Sequence, residues 1–199
     1  MRAFWVVLMT PLAAFADPLA FGLKGGVPLT DAFRVLRPSE FSADKQPYTI
    51  GPMVELHLPY GVSVELDALY KPFKYRAAFE GGAQATTTGN SWEFPLLLKY
   101  RFVDAPVRPY VGAGLAWRRF GGFKQVLAGS PGETDMPPEL RDRSGAGAVL
   151  EGGLELKVLF VRISPEVRYT RWGSTAFLDV LRGFSSRVNQ AEFLVGFTF

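Results

Sequence analysis

The sequence predicts an all-β fold: an eight-stranded antiparallel up-and-down β-barrel whose strands cross a membrane. Apolar and polar residues alternate with a period of two over segments of about ten residues, as in strands with one lipid-facing and one lumen-facing side. Short and long connections alternate strictly between these segments. The composition agrees, because 17 Phe, 7 Tyr and 21 Gly among 199 residues favour strands and turns.

The N-terminus has the three parts of a secretory signal peptide. Met1 and Arg2 give a positively charged start, residues 3–12 are apolar, and residues 14–16 read Ala-Phe-Ala, which is a small-x-small cleavage site. The apolar run is too short for a transmembrane helix, which needs about 20 residues. We therefore expect residues 1–16 to be a signal peptide and residues 17–199 to be one barrel domain.

The first four candidate strands comprise residues 19–27, 50–58, 62–71 and 91–102. The fourth is the clearest, because its apolar face is opposed by Glu93, Lys99 and Arg101. In chain order the apolar faces of the four strands consist of Leu19, Phe21, Leu23 and Val27; Ile50, Val54, Leu56 and Leu58; Val62, Val64, Leu66, Ala68 and Tyr70; and Trp92, Phe94, Leu96, Leu98, Tyr100 and Phe102.

The last four candidate strands comprise residues 109–119, 148–158, 161–170 and 191–199. Each again sets apolar side chains against polar or glycine positions, which indicates a half-buried strand. In chain order their apolar faces consist of Val111, Ala113, Leu115 and Trp117; Leu150, Leu154 and Leu156; Val161, Ile163, Pro165, Val167 and Tyr169; and Ala191, Phe193, Val195, Phe197 and Phe199.

The lengths of the connections favour a membrane barrel over a sandwich. Short turns follow the second, fourth and sixth strands, at residues 59–61, residues 103–108 and about two residues near Leu159. Long connections follow the others, at residues 28–48, 72–90, 120–143 and 173–188. Membrane barrels with both termini in the periplasm have short periplasmic turns and long outer loops. We expect the polar loops to lie outside the hydrocarbon, where unpaired backbone groups would be costly.

The polar faces are expected to point into the lumen. Eight strands leave an interior just wide enough for side chains, so the bulky aromatic face fits lipid better. Near the strand ends we expect aromatic girdles formed by Tyr70, Trp92, Phe102, Trp117, Tyr169 and Phe199. The predicted lumen holds eight acids and eight bases that can pair: Lys24, Glu55, Glu65, Asp67, Lys71, Glu93, Lys99, Arg101, Arg118, Glu151, Glu155, Lys157, Arg162, Glu166, Arg168 and Glu192.

Two stretches resemble known families. The C-terminal residues Phe193-Leu194-Val195-Gly196-Phe197-Thr198-Phe199 resemble the terminal signature of outer-membrane barrels. Residues 92–102, followed by Pro109-Tyr110-Val111-Gly112-Ala113-Gly114, look like the central hairpin of the OmpA-like and PorT-like outer-membrane β-barrel families. The resemblance implies residence in the outer membrane, contact with its lipid and recognition of Phe199 by the barrel-assembly machinery. Unlike full-length OmpA-type proteins, this chain is expected to lack a periplasmic peptidoglycan-binding domain.

No catalytic, cofactor or metal site is predicted. The chain has no cysteine and one histidine, His57, which we expect at the periplasmic rim, facing inward, with Glu55 and Glu65 as neighbours across the hairpin. The glycines at 22, 25, 26, 112 and 114 lie on strands without a following helix, so they do not form a dinucleotide loop. The acids Glu133, Asp135, Glu139 and Asp142 lack the spacing of a calcium loop.

The expected function is that of a monomeric, non-enzymatic outer-membrane barrel that acts through its outer loops. The net charge of +3 is dispersed along the chain, which argues against a nucleic-acid partner. Three alternatives remain open at this level: a narrow pore through the polar lumen, a lipid-modifying enzyme that uses His57, and a soluble lipocalin-like carrier whose aromatic residues point inward.

Overall fold

The computed structural model describes residues 18–30, 33–35, 41–43, 47–78, 84–127, 130–133, 143–174, 178–179 and 184–199. In chain order the long strands are β1 (Leu19–Pro28), β2 (Thr49–His57), β3 (Val62–Asp67, continued as Leu69–Ala78), β4 (Gln84–Arg101), β5 (Val107–Leu127), β6 (Ser144–Val158), β7 (Val161–Trp172) and β8 (Asn189–Thr198). Short strands lie at Phe33–Val35, Phe41–Ala43, Ser130–Glu133, Leu178–Asp179 and Phe184–Ser186.

The long strands close into a barrel. Each pairs antiparallel with its neighbours in the chain, and the first strand pairs with the last, with Leu23 opposite Phe197. β3 is interrupted at Ala68, opposite Pro52, which has no N–H to donate to the ladder; the Ala68 N–H still donates to the Pro52 carbonyl at 3.0 Å. This architecture confirms the predicted eight-stranded antiparallel barrel.

Short turns gather at one end of the barrel, which we call the turn end. β2 and β3 are joined through a single 3-10 turn at Pro59–Gly61, in which Tyr60 and Gly61 have φ of 64° and 77°. β6 and β7 are joined by Leu159 and Phe160 alone, with Val158 paired to Val161. Residues 102–106 join β4 to β5. The opposite end, where the longer connections lie, is called the loop end.

The two faces of the strands differ as predicted. Outward side chains are large, apolar and exposed, as shown by Leu98 (58%), Leu115 (56%) and Leu150 (59%). Inward side chains include fully buried charges such as Lys24 and Glu65, both at 0%. Small and apolar residues complete the interior: Ala20, Met53, Leu69, Leu97, Ala116, Val149 and Leu194. Such a barrel has its polar groups inside and its apolar surface outside, the reverse of a soluble protein.

Three strands extend further toward the loop end than the sequence predicts. Residues 72–90 and 120–143 were expected to be connections, but β3 continues to Ala78, β4 begins at Gln84 and β5 continues to Leu127. In β3 the alternation continues through residues 72–76 with its sense reversed, because Phe73 and Tyr75 are buried there. In the other two strands it is interrupted, since the register of β4 against β5 shifts between Thr88 and Asn90 and Gly122 has a φ of 63°. Inside this extension Phe73 packs edge-on against Phe120 and Phe123, with ring centroids 5.8 and 6.2 Å apart.

The predicted signal peptide, residues 1–16, and the loop acids Asp135, Glu139 and Asp142 lie outside the described residues. Glu133 ends the short strand Ser130–Glu133. Among the described residues, none of the helical segments has the length and apolar character needed to cross a membrane.

Candidate functional site

The centre of the lumen is built around Arg168, a buried residue of β7. Its Nη1 donates to Asp67 Oδ2 on β3 at 2.7 Å, and its Nη2 donates to Glu151 on β6 at 2.8 Å and to Glu166 at 2.9 Å. Because β3 and β7 are four strands apart in an eight-stranded ring, the pair between Arg168 and Asp67 joins opposite walls. A planar guanidinium has five donors and suits such a multidentate position.

Two lysines complete this central layer. Lys24 on β1 donates to Glu65 at 2.6 Å and to Glu166 at 3.0 Å. Lys99 on β4 donates to the other Glu65 oxygen at 2.7 Å, and its ammonium lies 4.2 Å from the centroid of the Tyr110 ring. The Tyr110 hydroxyl donates to Glu166 at 2.6 Å. Lys99 also lies 3.8 Å from Glu151 on β6 and 3.9 Å from Glu55 on β2. Each cation therefore contacts carboxylates from more than one strand, so the layer links the wall of the barrel around its circumference.

A second layer lies nearer the loop end. The ammonium of Lys71 on β3 donates to Glu93 on β4 and, at 2.5 Å, to Glu192 on β8. The Thr49 hydroxyl on β2 also donates to Glu192, at 2.8 Å. These contacts connect four strands at this level. They also pair the buried charges, which would be costly if they were left unpaired in such an interior.

A third layer lies at the turn end and is built on Arg101. Its Nη2 donates to Glu55 Oε1 at 2.6 Å, its Nε donates to Glu155 Oε2 at 2.9 Å, and its Nη1 donates to the Ser63 hydroxyl at 3.0 Å. Glu55 lies opposite Glu65 in the β2–β3 register, as predicted. Arg108 approaches Glu155 Oε1 at 3.6 Å, so positive charge surrounds this carboxylate.

His57 lies at this turn-end layer, facing inward as predicted. Its Nε2 lies 3.4 Å from Arg101 Nη2 and 3.0 Å from Arg162 Nη1, so it is positioned to accept hydrogen bonds from two guanidinium groups. A neutral imidazole accepts through only one nitrogen, which leaves Nδ1 as the N–H. This Nδ1 is buried and has no hydrogen-bond partner among the described residues. No serine is hydrogen-bonded to His57 there, so the part of the chain that is described shows no nucleophile–base pair.

A pocket lies beside His57 at the turn end. Its lining includes Tyr60, Tyr100, Phe102, Arg101 and Arg108. The arginines in it are already engaged, since Arg101 binds Glu55 and Glu155 and Arg108 pairs with Asp104. The pocket therefore offers no arginine that is free of a carboxylate partner.

Two clusters of three side chains in the lumen have their ligand atoms close enough together to hold a metal ion. They are Glu55, His57 and Glu155, and Glu65, Glu151 and Glu166. In each group a protein cation already binds the carboxylates: Arg101 lies 2.6 Å from Glu55, and Lys24 lies 2.6 Å from Glu65. A bound divalent cation would have to displace these side chains, so the donor sets fit ion pairing rather than metal ligation.

Arg118 departs from the predicted pattern of paired charges. It is buried on β5 at the loop end, with its guanidinium carbon 4.2 Å from the Trp172 ring centroid and 5.2 Å from that of Phe120. Its Nη2 donates to the Ser174 carbonyl at 3.2 Å. Aromatic faces stabilise a cation through their quadrupole, and sequence spacing gave no sign of this contact between residues 54 positions apart.

The predicted lumen list is correct for fourteen of its sixteen members, which are buried. Arg162 is only partly buried beside His57, and Lys157 is exposed. Lys157 lies opposite Arg162 in the register of the β6–β7 hairpin. Both residues are close to the two-residue turn, where the wall of the barrel ends and a long side chain reaches solvent. Residues directly opposite each other share a face of the sheet, so Lys157 is on the inward face as predicted but lies at the open mouth of the lumen rather than buried inside it.

No family model matches the chain, and no curated protein matches it. The chain does match several solved structures. Neisserial surface protein A (NspA) aligns with a TM-score of 0.50 at 16% identity, over 91% of this chain and 96% of its own. The N-terminal β-barrel domain of Pseudomonas aeruginosa OprF aligns with a TM-score of 0.44 at 18% identity, over 92% and 98%. Ail of Yersinia pestis, solved with the heparin analogue sucrose octasulfate, aligns at 0.38 and 10%, over 91% and 96%.

The match to NspA agrees with the strand order and the closed ring described above. The chain therefore has the fold of the small eight-stranded outer-membrane barrels, as its resemblance to the OmpA-like and PorT-like families implies.

Proposed function

We propose that this protein is a non-enzymatic, monomeric barrel of the outer membrane that presents its loop end at the cell surface. Its lipid-facing wall would hold it in the bilayer, and its lumen would act as a rigid core rather than a passage. The extended ends of β3, β4 and β5, with the connections beyond them, would form the interacting surface. Assembly would proceed through recognition of the C-terminal strand together with Phe199, which follows it.

The observation that carries this proposal is the combination of an apolar exterior with a charged, filled interior. Leu23, Leu98 and Leu150 are each more than half exposed on the outside, which in water would be a large adhesive surface. Lys24, Glu65 and Arg168 are at most 1% exposed on the inside. Lipid is the environment that satisfies both faces.

The alternative of a soluble carrier is disfavoured by these same faces. A lipocalin-like carrier needs an inward aromatic face that lines an apolar cavity, whereas Trp92, Phe94 and Trp117 point outward and are 40–46% exposed. The carrier hypothesis therefore has no cavity of the required chemistry among the described residues.

A narrow channel is the second candidate, because the lumen is polar. Three layers of ion pairs cross it, and the pair between Arg168 and Asp67 joins opposite walls at 2.7 Å. We expect no discrete conductance from the purified protein in planar bilayers. Regular conductance steps would replace the closed-core proposal with a channel.

The lipid-modifying enzyme is tested separately. We expect the lipid A profile of cells to be unchanged by deletion of the protein and by His57→Ala. A profile that changes on deletion and also on His57→Ala would assign His57 a catalytic role.

The orientation can be tested by labelling, because the chain contains no cysteine. Single variants Ser144→Cys at the loop end and Tyr60→Cys at the turn end place one thiol at each rim; both parent residues are exposed. A membrane-impermeant maleimide applied to intact cells should label Ser144→Cys alone, and both variants after lysis. Labelling of Tyr60→Cys in intact cells, without Ser144→Cys, would contradict the proposed orientation.

A further inference from the structure

The hairpin of β6 and β7 carries a pair of like charges at the turn-end mouth of the lumen. Lys157 and Arg162 lie directly opposite each other in the strand register, so their side chains share the inward face. Lys157 is exposed and Arg162 is half-buried. Like charges in directly opposite positions destabilise a strand pair, so the stability of the hairpin does not explain why two cations occupy these positions.

Neither of these two cations forms an ion pair within the part of the chain that the structure describes. The described acids of the turn end are already engaged by Arg101 and Arg108, and they are Glu55, Asp104 and Glu155. Arg162 Nη1 lies 3.0 Å from His57 Nε2, but the imidazole has no negative charge that could neutralise the guanidinium. The mouth therefore presents two positive charges that are available to an anionic partner.

The two residues that form the turn of this hairpin are apolar and project away from the barrel. Leu159 and Phe160 follow Val158, which forms the last pair of the ladder with Val161. They are 84% and 81% exposed, compared with 46% for Trp117 on the outer wall. Unlike the aromatic residues of that wall, the two turn residues are therefore covered very little by the barrel itself.

The backbone at Leu159 is strained, with a φ of 56°. The favoured two-residue hairpin turns also have a positive φ at this position, but they place glycine, asparagine or aspartate there, because a positive φ crowds the Cβ of other residues. The exposed Leu159 side chain gains little contact with the barrel that would offset this strain. Strained residues cluster at functional sites, so the position of this leucine points to a contact with another molecule.

We propose that Lys157, Leu159, Phe160 and Arg162, which we call the turn-end patch, form a docking site for an acidic, partly apolar segment of a periplasmic protein. Carboxylates of the segment would bind Lys157 and Arg162 at the mouth of the lumen, and its apolar side chains would cover Leu159 and Phe160. This inference rests on the proposed function, which places the turn end in the periplasm. A single hairpin turn is a small surface, which suits a transient contact rather than a permanent interface.

The arrangement of the turn-end patch favours a protein segment over the lipid around the barrel. Lys157 and Arg162 lie on the inward face, whereas a lipid headgroup would be met by cations on the outer face of the wall. Aromatic residues and arginine are enriched at protein–protein interfaces and among the residues that dominate binding energy there. The turn-end patch combines both with an exposed leucine, so it has the composition of an interface rather than of a lipid-facing wall.

The test measures peptide binding to the purified barrel in lipid nanodiscs, in which both ends of the barrel are accessible. The probe is a fluorescent synthetic peptide rich in Glu, Leu and Phe, and binding is followed by fluorescence anisotropy. Two matched peptides carry Lys in place of every Glu, or Ser in place of every Leu and Phe. They separate the contribution of the charges from that of the apolar side chains.

Four variants of the barrel are compared with the wild type. Lys157→Gln/Arg162→Gln removes the charges of the turn-end patch, and Lys157→Arg/Arg162→Lys exchanges the two cations while keeping the charge. Leu159→Gly/Phe160→Ser removes the apolar side chains and relieves the positive φ. The control Arg119→Gln/Arg171→Gln removes the same charge from exposed positions at the loop end. Heat-dependent gel mobility confirms that each variant is folded.

We expect the charge-removing and the apolar-removing variants each to raise the dissociation constant of the acidic peptide roughly tenfold or more. The charge-keeping variant and the loop-end control should bind as the wild type does, and high salt should weaken binding. Both matched peptides should bind the wild type more weakly. Leu159→Gly/Phe160→Ser should resist urea at least as well as the wild type, so that its loss of binding is not a loss of fold.

Three results would overturn the inference: no binding by the wild type, equal binding by all variants, or equal binding of the lysine peptide. A spin label at Phe160→Cys that is more accessible to oxygen than to a water-soluble nickel complex would also overturn it, because the turn would then lie in the bilayer. Labelling of Tyr60→Cys rather than Ser144→Cys in intact cells would instead overturn the proposed orientation, while peptide binding in nanodiscs would be unaffected.

Discussion

The guanidinium of Arg168 and the carboxylate of Asp67 meet across the barrel at 2.7 Å, although β7 and β3 form opposite walls. Arg168 also binds Glu65, Glu151 and Glu166. One side chain on β7 thus connects two other strands, β3 and β6, through the axis of the lumen. In a soluble protein an apolar core supplies this cohesion, whereas here a charged network does so because the large apolar side chains lie on the outer surface of the barrel.

Removing Arg168 should be strongly destabilising. Arg168→Ala leaves Asp67, Glu151 and Glu166 buried with less compensating charge, and breaking a buried pair in this way costs about 3–5 kcal/mol. Urea unfolding in lipid vesicles measures the loss. The exposed Arg187→Ala serves as the control and should cost less than about 0.5 kcal/mol. Similar unfolding free energies for the two variants would show that the network contributes little.

Gly112 should not tolerate a side chain. A Cβ at this position would lie 2.7 Å from the Glu151 carboxylate, whereas a Cβ at Gly152 on the neighbouring strand would have its nearest contact at 3.9 Å. We expect Gly112→Ala to lower the unfolding free energy by about 1–3 kcal/mol through overpacking. Gly152→Ala is the matched control and should remain close to wild type. A stable Gly112→Ala would mean that Glu151 moves freely, against the packed lumen described here.

His57 should act as a hydrogen-bond acceptor between two arginines. His57→Gln keeps an acceptor, while His57→Leu leaves Arg101 and Arg162 without it, at a cost of about 1–3 kcal/mol. Unfolding midpoints of the two variants should therefore differ, with Gln the more stable. If His57→Leu is as stable as wild type, the hydrogen bonds from Arg101 and Arg162 to His57 Nε2 do not contribute to the stability of the fold.

A charge on the outer wall should distinguish lipid from water as the surroundings of the barrel. Leu98 is 58% exposed and lies on β4 between Trp92 and Phe102, the two residues predicted to mark the aromatic girdles. At the midplane of a bilayer an Arg on this face costs about 2–4 kcal/mol, whereas on a water-exposed strand it would cost little. Unfolding of Leu98→Arg in vesicles, with Ser144→Arg at the loop end as the control, measures the difference. Equal stability of both variants would indicate an aqueous exterior.

The sequence predicts the strands, their two faces and the turn end well, because an apolar outer face and a polar inner face impose a strict period of two. It does not predict the full length of β4 and β5, since the register shift near Thr88 and the positive φ of Gly122 break that period. It also does not show which charges pair. Arg168 reaches Asp67 only through the register of the closed ring, and Arg118 binds Trp172 and Phe120 instead of a carboxylate.

The most direct test of the central claim, an integral outer-membrane barrel, is cell fractionation followed by gel mobility of unboiled and boiled samples. We predict that the protein is found in the outer-membrane fraction and that the unboiled form migrates differently from the boiled form, because the closed strand ring resists detergent until it is heated. A protein that fractionates with the soluble periplasm and migrates identically before and after boiling would contradict the account.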